Sequence, residues 1–419
     1  RIRRALPAAS YVPPAGARVL DLPGRYVTPG FVDMHVHLLL HPWDAEGNIT
    51  PQYDRAAVVK ILRLLLAHGV TTLRDPGSPT EAAVQFRQLV RAGTLVGPNI
   101  VTAGRILNAS DFPVEPFVRV ESAAAVREEI RWQARVGVDL IKIYSSIGPD
   151  LARVAITEAH ALGLPVIGHL QRTSWTEAAE LGIDGLCHGA PWSPVYLAPA
   201  DRPGYPQTLA GRAYWLEHID LAGPPLRQMI ATLAQRRVPV DPTLIALHTK
   251  FFGDQPRWRA HPRLHLMPES HRRGWPRGSF TASWSAADYA RAQAAWPRML
   301  AFTRALYQGG VPLVVGTDTP GPWIIPGVSL HEELALLGEA GIPPRDLLRM
   351  ATVNAARALR RERDLGGLEP GMRADLVVLR GDPLADIANA ARIEHVVLGG
   401  VLYRPEELLG EEGAPTPAK

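Results

Sequence analysis

Apolar, β-branched runs alternate with amphipathic segments along most of the chain. "GFVDMHVH" (30–37) reads as a strand and "AAVVKILRLLLAHG" (56–69) as a helix stopped by Gly69. "VTTLRD" (70–75) and a helix over 80–93 follow, then "NIVTAGR" (99–105) and a helix near 121–136. "DLIKIYSS" (139–146) precedes a helix over 149–163, and "PVIGH" (165–169) precedes one over 174–182. "GLCHG" (185–189), "PVDPTL" (239–244) and "PLVVGTD" (312–318) complete the set of strand candidates. Strands apolar on both faces that alternate with helices belong in a parallel sheet. The pattern predicts an α/β fold, a (β/α)8 TIM barrel with insertions.

Two stretches exceed a minimal barrel. Residues 190–235 are rich in Pro, Gly and aromatics, and residues 248–300 carry Trp258, Trp275, Trp284 and Trp296. Both leave the C-terminal ends of strands, where long loops serve as lids or substrate walls. The barrel is assigned to residues 29–370. "GMRADLVVLRGDPL", "IEHVVLGGVLYR" and the opening residues read as short strands. Residues 1–28 and 371–410 are therefore expected to form a small β-sandwich domain from both termini, trimmed at the N-terminal side.

Charge narrows the partners. The net charge is +4, and no dense basic run with interleaved aromatics occurs, which argues against a nucleic-acid partner. No uncharged apolar run reaches the roughly 18 residues needed to span a bilayer, so no membrane partner is expected. Cys187 is the only cysteine, so no internal disulfide can form. "RIRRAL" opens on Arg1 without an apolar signal core, and the natural start is expected upstream. Compartment and homo-oligomeric state are left open.

His35 and His37 share one face of a strand because their spacing is two. At a strand's C-terminal end both rings face the barrel mouth, and two such nitrogens suit a borderline metal such as Zn2+. His169, His188 and Asp318 end other strands at the same mouth, where barrel active sites are built. Cys187 is expected on the face opposite His188, in packing. His248, four residues past a strand, is a weaker candidate for touching substrate. Lys142 sits mid-strand among only four lysines, on the face of Leu140 and Tyr144. An inward ammonium is costly unless paired. A buried amine in its neutral form can add CO2 to give a carbamate with one oxygen for each of two metal ions. The bland alternatives are a carboxylate partner or escape to solvent. Tyr144 is expected at the mouth, helping to hold an oxyanion or packing.

These segments resemble the amidohydrolase superfamily over almost the whole chain. "VTPGFVDMHVH" is similar to its first-strand signature and "GVTTLRDPGS" to its second. "VGVDLIKIY" resembles the strand carrying the carboxylated lysine. "PVIGHLQRTSWTEAAELGIDGLCHG" and "VVGTD" resemble the fifth, sixth and eighth strands. The nearest likeness is to the imidazolonepropionase-like branch, with its metal-dependent Xaa-Pro dipeptidase-like and aryl-amide-cleaving members. The resemblance implies two divalent ions, most simply Zn2+. His35, His37 and Asp318 would hold one and His169 and His188 the other, bridged by carboxylated Lys142 and a hydroxide. The implied reaction is hydrolysis of an amide or peptide-like C–N bond in a small-molecule or short-peptide substrate. Candidates are N-acyl amino acids, Xaa-Pro or other dipeptides, and aryl amides. Asp318 would shuttle the proton, with His188 or Tyr144 on the oxyanion. Rivals are a one-metal deaminase or imidazolonepropionase-type cyclic amide hydrolase, and a non-catalytic barrel that binds without cleaving. "GHLQRTS" and "NASDFP" (108–113) depart from the branch's Ala-His-Ala-x-Gly and Gly-Gly-His patterns, both where substrate would sit.

Overall fold

The computed structural model describes residues 1–7, 10–50, 52–111, 116–206 and 208–410. β1 (Tyr26–Pro29) precedes β2 (Phe31–Asp33). α1 (Arg55–Ala67) begins where Asp54 accepts the N–H groups of Ala56 and Ala57, and the chain leaves it through Gly69 at φ +83°. β3 (Val70–Asp75), α2 (Thr80–Arg91) and β4 (Asn99–Thr102) follow. Gly104, at φ +70°, separates β4 from β5 (Ile106–Asn108). β6 (Phe117–Arg119) pairs outside β5. Then come α3 (Ala123–Val136), β7 (Ile141–Ile143), α4 (Pro149–Ala161) and β8 (Val166–Gly168). α5 (Trp175–Leu181) starts with a reciprocal Ser174–Glu177 capping box and leads to β9 (Gly185–Cys187).

The two long excursions are themselves helical. α6 (Ala210–His218) and α7 (Pro224–Arg236) precede β10 (Val240–Asp241). α8 (Leu244–Phe251) is followed by three one-turn helices, α9 (Pro256–Arg259), α10 (Glu269–Arg272) and α11 (Trp275–Gly278), and by the long α12 (Ala286–Gln308). After residues 312–319 come α13 (Val328–Glu339), α14 (Pro344–Met350) and α15 (Val353–Ala358). β11 (Leu376–Leu379), β12 (Ile393–Leu398), β13 (Val401–Tyr403) and α16 (Pro405–Leu409) end the described chain.

Backbone hydrogen bonds run around a ring of parallel segments. β2, β3 and β4 form one ladder, and β5, β7, β8, β9 and β10 form another. Asp139 N–H donates to Thr102 C=O at 2.8 Å and joins the two. Residues 312–319 close the gap without a regular ladder. Val314 N–H donates to Val240 C=O at 3.0 Å on one side, and Met34 N–H to Val315 C=O at 2.9 Å on the other. β4 and β5 thus make two halves of one stave, bent at Gly104.

Alternation sorts the staves' side chains. Ile141 and Ile143 join the helix-facing core, whereas Leu140, Ile167 and Cys187 cluster inside the ring with Val101 and Ala103. Each such fully buried aliphatic side chain contributes roughly 1.5–3 kcal/mol relative to exposure. This inner cluster is the floor on which the polar site rests.

The terminal strands form one antiparallel sheet in the order β1-β11-β12-β13. Leu66 and Ala67 of α1 pack with Val396, Tyr403 and Leu408 and tie this sheet and α16 to the ring. Among the described residues before Tyr26 no strand forms, so the expected strand fragments in that stretch are absent. Short runs punctuated by Pro and Gly there lack both a partner strand and a buried face. Among the described residues no helix is long and apolar enough to cross a membrane.

Candidate metal centre

The C-terminal ends of the staves open into a cavity of about 460 Å³ that His35, His37, Lys142, His169, His188 and Asp318 all line. His35 and His37 follow β2, with ring centroids 5.2 Å apart. Gly316 makes room for the first ring: a Cβ there would lie 2.9 Å from the His35 Cβ. The His35 and His37 Nε2 atoms are each 3.5 Å from the same Asp318 oxygen. His188 lies 4.8 Å from His35 and 4.3 Å from His169, centroid to centroid, so the four imidazoles form a continuous arc.

Hydrogen bonds fix how three of these rings present themselves. His35 Nδ1 meets Asp241 Oδ1 at 2.9 Å, His37 Nδ1 meets the Gly77 carbonyl at 2.9 Å, and His188 Nδ1 meets Thr243 Oγ1 at 2.9 Å. With Nδ1 engaged, Nε2 is the nitrogen left for a ligand, the arrangement by which outer partners orient metal-binding histidines. Among the described residues, His35 Nε2 and both nitrogens of His169 are buried without a hydrogen-bond partner. Buried polar atoms are rarely left unsatisfied. Orphaned imidazole nitrogens beside a carboxylate are a donor set that suits a borderline divalent ion. The residues present therefore fit a metal.

Electrostatics agree with that reading. Burial, with the nearby Lys142 and Arg212 charges, holds His169 well below the ordinary imidazole range. Burial, with the neighbouring His169 and His35 rings and the Lys142 and Arg212 charges, does the same to His188. Both rings are thus neutral, as metal ligation requires. Burial alone would raise Asp318. The hydrogen bond with His37, then the charges of His35 and Lys250, outweigh it and hold the carboxyl well below the usual range. Lys250 Nζ stands 3.9 Å from Asp318 Oδ2, and burial lowers its own pKa to about 8 despite that carboxylate.

Lys142 is only 1% exposed and its Nζ donates to Cys187 Sγ at 2.8 Å. Its partner is thus a thiol, neither a carboxylate nor solvent. Cys187 was expected on the far face from His188, and the structure corrects this. His188 has φ +74°, which breaks the strand alternation, so both side chains turn into the ring. Burial pushes the Cys187 thiol up to about 11, so it is protonated at neutral pH. Asp318 has the same left-handed backbone, at φ +64°. Such strain in non-glycine residues persists where the surroundings over-determine it.

Tyr144 lines the cavity, with its ring 4.4 Å from His169 and 4.8 Å from Phe117. Burial pushes its hydroxyl up to about 12, so it keeps its proton at neutral pH. His248 does not touch the cavity. It stacks on Phe252 at 4.3 Å with Trp296 at 4.9 Å, and its nitrogens face Arg257, so its expected contact with substrate is overturned. Of "NASDFP", Phe112 and Pro113 lie outside the described residues. Asn108 is tied to Ser146, whose hydroxyl also receives the Ala109 and Ser110 N–H groups.

Asp241 escaped sequence reasoning. It is buried, takes His35 Nδ1 on one oxygen and Arg74 on the other, and lies near enough to His35 and Cys187 to be a candidate ligand itself. Burial alone would raise its pKa, but the His35 and Arg74 charges hold it below the usual range. The signal was available: "PVDPTL" ends an apolar strand on an acid, as "VGTD" does. Arg212 and Lys250, which also line the cavity, carried no such signal.

Comparisons with known proteins agree with this geometry. The model of the amidohydrolase family matches residues 26–190 and 285–402. The imidazolonepropionase of Anaeromyxobacter dehalogenans is 27% identical over 401 residues, covering 87% of this chain and 77% of that protein. The crystal structure of a Xaa-Pro dipeptidase with bound methionine superposes with a TM-score of 0.68 at 20% identity, over 94% of this chain and 91% of that one. Bottromycin amidohydrolase superposes with a TM-score of 0.71 at 26% identity, over 94% and 80%. The matched stretches include His35, His37, Lys142, His169, His188 and Asp318, and together they span well over half of the sequence. On that ground the chain belongs to the amidohydrolase family, hydrolases that act on carbon–nitrogen bonds.

Proposed function

We propose that the protein is a metal-dependent hydrolase cleaving an amide or peptide-like C–N bond in a small molecule or short peptide. The observation that carries this reading is the arc of four imidazoles with orphaned buried nitrogens around Asp318. In this reading residues 29–370 are a (β/α)8 barrel with lids near 190–235 and 248–300. Residues 1–28 and 371–410 form the small β-sandwich domain. His35, His37 and Asp318 would hold one divalent ion, most simply Zn2+. His169 and His188 would hold a second, and carboxylated Lys142 would supply a further anionic ligand.

Bound ions would supply Lewis acidity toward a water and a carbonyl oxygen. The chain's own groups do the rest. Asp318, ionised at neutral pH, takes a proton from the attacking water and returns it to the leaving nitrogen, so that amide and water become acid and amine. Tyr144, protonated and beside His169, donates toward the developing oxyanion, with His188 on the same side. The aromatic walls exclude water from the reacting carbonyl.

A one-metal reading, with Lys142 unmodified as in a deaminase or cyclic amide hydrolase, draws on the Lys142–Cys187 contact. Metal analysis separates the two: about two ions per chain for the binuclear centre and about one for its rival. The test of the shared reading is a screen of acyl amino acids, dipeptides, aryl amides and cyclic amides with and without chelator. Activity should vanish on metal removal and return with Zn2+. Turnover that survives complete removal refutes the mechanism.

A further inference from the structure

The cavity wall is lopsided in charge. Among the described residues that line it, Asp318 is the only acid, whereas Lys142, Lys250 and Arg212 are cationic. Lys142 is engaged by Cys187 and Lys250 faces Asp318. Arg212 differs. Its guanidinium lies over the Trp192 ring, with Cζ 5.3 Å from the centroid, and among the described residues it has neither a hydrogen-bond acceptor nor a carboxylate.

Other arginines of the two excursions are engaged. Arg202 donates to the carbonyls of Leu197 and Val195, Arg291 pairs with Glu217, and Arg298 donates to Leu216 and Ile219. Residue 212 is half-buried as a whole, yet its guanidinium sits deep enough that burial depresses its pKa. It lines the same cavity as His169, His188, Tyr144 and Asp318. The backbone holds it there by close packing: a Cβ on Gly211 would come within 2.0 Å of the Pro206 carbonyl, and Trp215 is fully buried one turn on.

A guanidinium offers five donors in a planar fork that matches a carboxylate. Donors without a protein acceptor at the cavity wall are open to an anionic ligand, which they hold by charge-assisted, bidentate bonds. Because the other two cations are engaged, the site offers one free fork, which suits a singly charged carboxylate better than a phosphate dianion. Trp43, Phe117, Trp192, Phe280 and Trp323 supply the rest of the wall, so the remainder of the ligand is bulky and apolar. A volume of about 460 Å³ fits a dipeptide-sized molecule.

We propose that Arg212 is the specificity residue of this site and binds a carboxylate carried beside the scissile amide. The substrates are then acyl amino acids or dipeptides with an apolar or aromatic group, not neutral aryl amides. This rests on the hydrolase reading above. Residue 212 lies outside the stretches the family model matches, so the selectivity belongs to this chain's own insertion.

The test is direct binding by calorimetry to the Zn2+-loaded full chain, alongside turnover. N-acetyl-L-phenylalanine is compared with its neutral carboxamide, and succinanilic acid with its carboxamide. The first pair carries the charge on the amine side and the second on the acyl side. At least one acid should bind about a hundredfold tighter than its amide, and Arg212→Gln should erase the difference. Arg212→Lys should restore part of it. Equal affinity within both pairs, or no binding of any probe, overturns the proposal, as does a preference that survives both substitutions. If Arg212→Gln fails to fold by circular dichroism, the wild-type comparison and Arg212→Lys decide. Selective binding without turnover sustains the carboxylate site and defeats the hydrolase reading; equal turnover of acid and amide does the reverse.

Discussion

Replacing Asp241 by alanine should damage both the fold and the metal site, by separable amounts. The carboxylate is 1% exposed and joins His35 Nδ1 to the guanidinium of Arg74, itself 3% exposed. Arg74 Nε keeps its bond to the Met34 carbonyl at 2.8 Å, but Nη2 would face a void. Stranding one partner of a buried ion pair costs about 3–5 kcal/mol. Unfolding entropy for 419 residues is about 0.9 kcal/mol/K, so the metal-free protein should melt about 3–6 °C lower. The measurement must be made metal-free, because a bound ligand raises the melting point of whichever variant holds it better. Separately, His35 loses the acceptor that sets its tautomer, and metal affinity should fall about 10–100-fold in a chelator competition. Arg74→Met on the Asp241→Ala background should recover much of the thermal loss and none of the metal affinity. A metal-free melting shift under about 1 °C, with unchanged metal affinity, would refute the claim that Asp241 couples scaffold and site.

Further expectations concern neighbouring positions. Gly316→Ala places a methyl 2.9 Å from the His35 Cβ and 3.3 Å from that of Asp241, so metal content and turnover should fall at least about tenfold; normal metal loading would show that the rings can give way. Glu333 on α13 accepts the Leu244 and Ile245 N–H groups at 2.9 and 2.7 Å, and burial raises its pKa from 4.5 to about 8. Because its folded pKa lies above the unfolded value, its contribution is complete below about pH 4.5 and is lost as the pH climbs to about 8. Wild type should therefore lose stability relative to Glu333→Gln over that window in denaturant melts, by a few kcal/mol; parallel pH profiles would exclude this. Burial raises the Cys187 thiol to about 11, so a disulfide reagent at pH 8 should leave it unmodified until the chain unfolds. Rapid native labelling would mean that the floor of the site opens.

Much of this site was legible because its ligands sit where the chain stops being a strand. Period-two spacing placed His35 and His37 together, and Lys142 inward, without any knowledge of partners. Where alternation failed, it failed at residues whose backbone leaves the strand basin. His188 and Asp318 have positive φ, a state that only tertiary packing can impose on them and that a run such as "GLCHG" does not advertise. Cys187 was misplaced for that reason alone. Asp241 is a different case. Its residue type and its place at a strand end were visible, but its meaning comes from Arg74 and His35, 167 and 206 positions away, and no local pattern encodes that pairing. The same holds for α6. Nothing in "AGRAYWLEH" separates Arg212 from arginines that bond to carbonyls. What marks it is its place on the cavity wall with no acceptor among the described residues. Local pattern thus reveals residues that act through position on a stave, and the fold is needed for those that act through a distant partner or through lacking one. The candidate metal ligands belong to the first kind and the proposed specificity residue to the second, so two chains could share every legible motif and still accept different substrates.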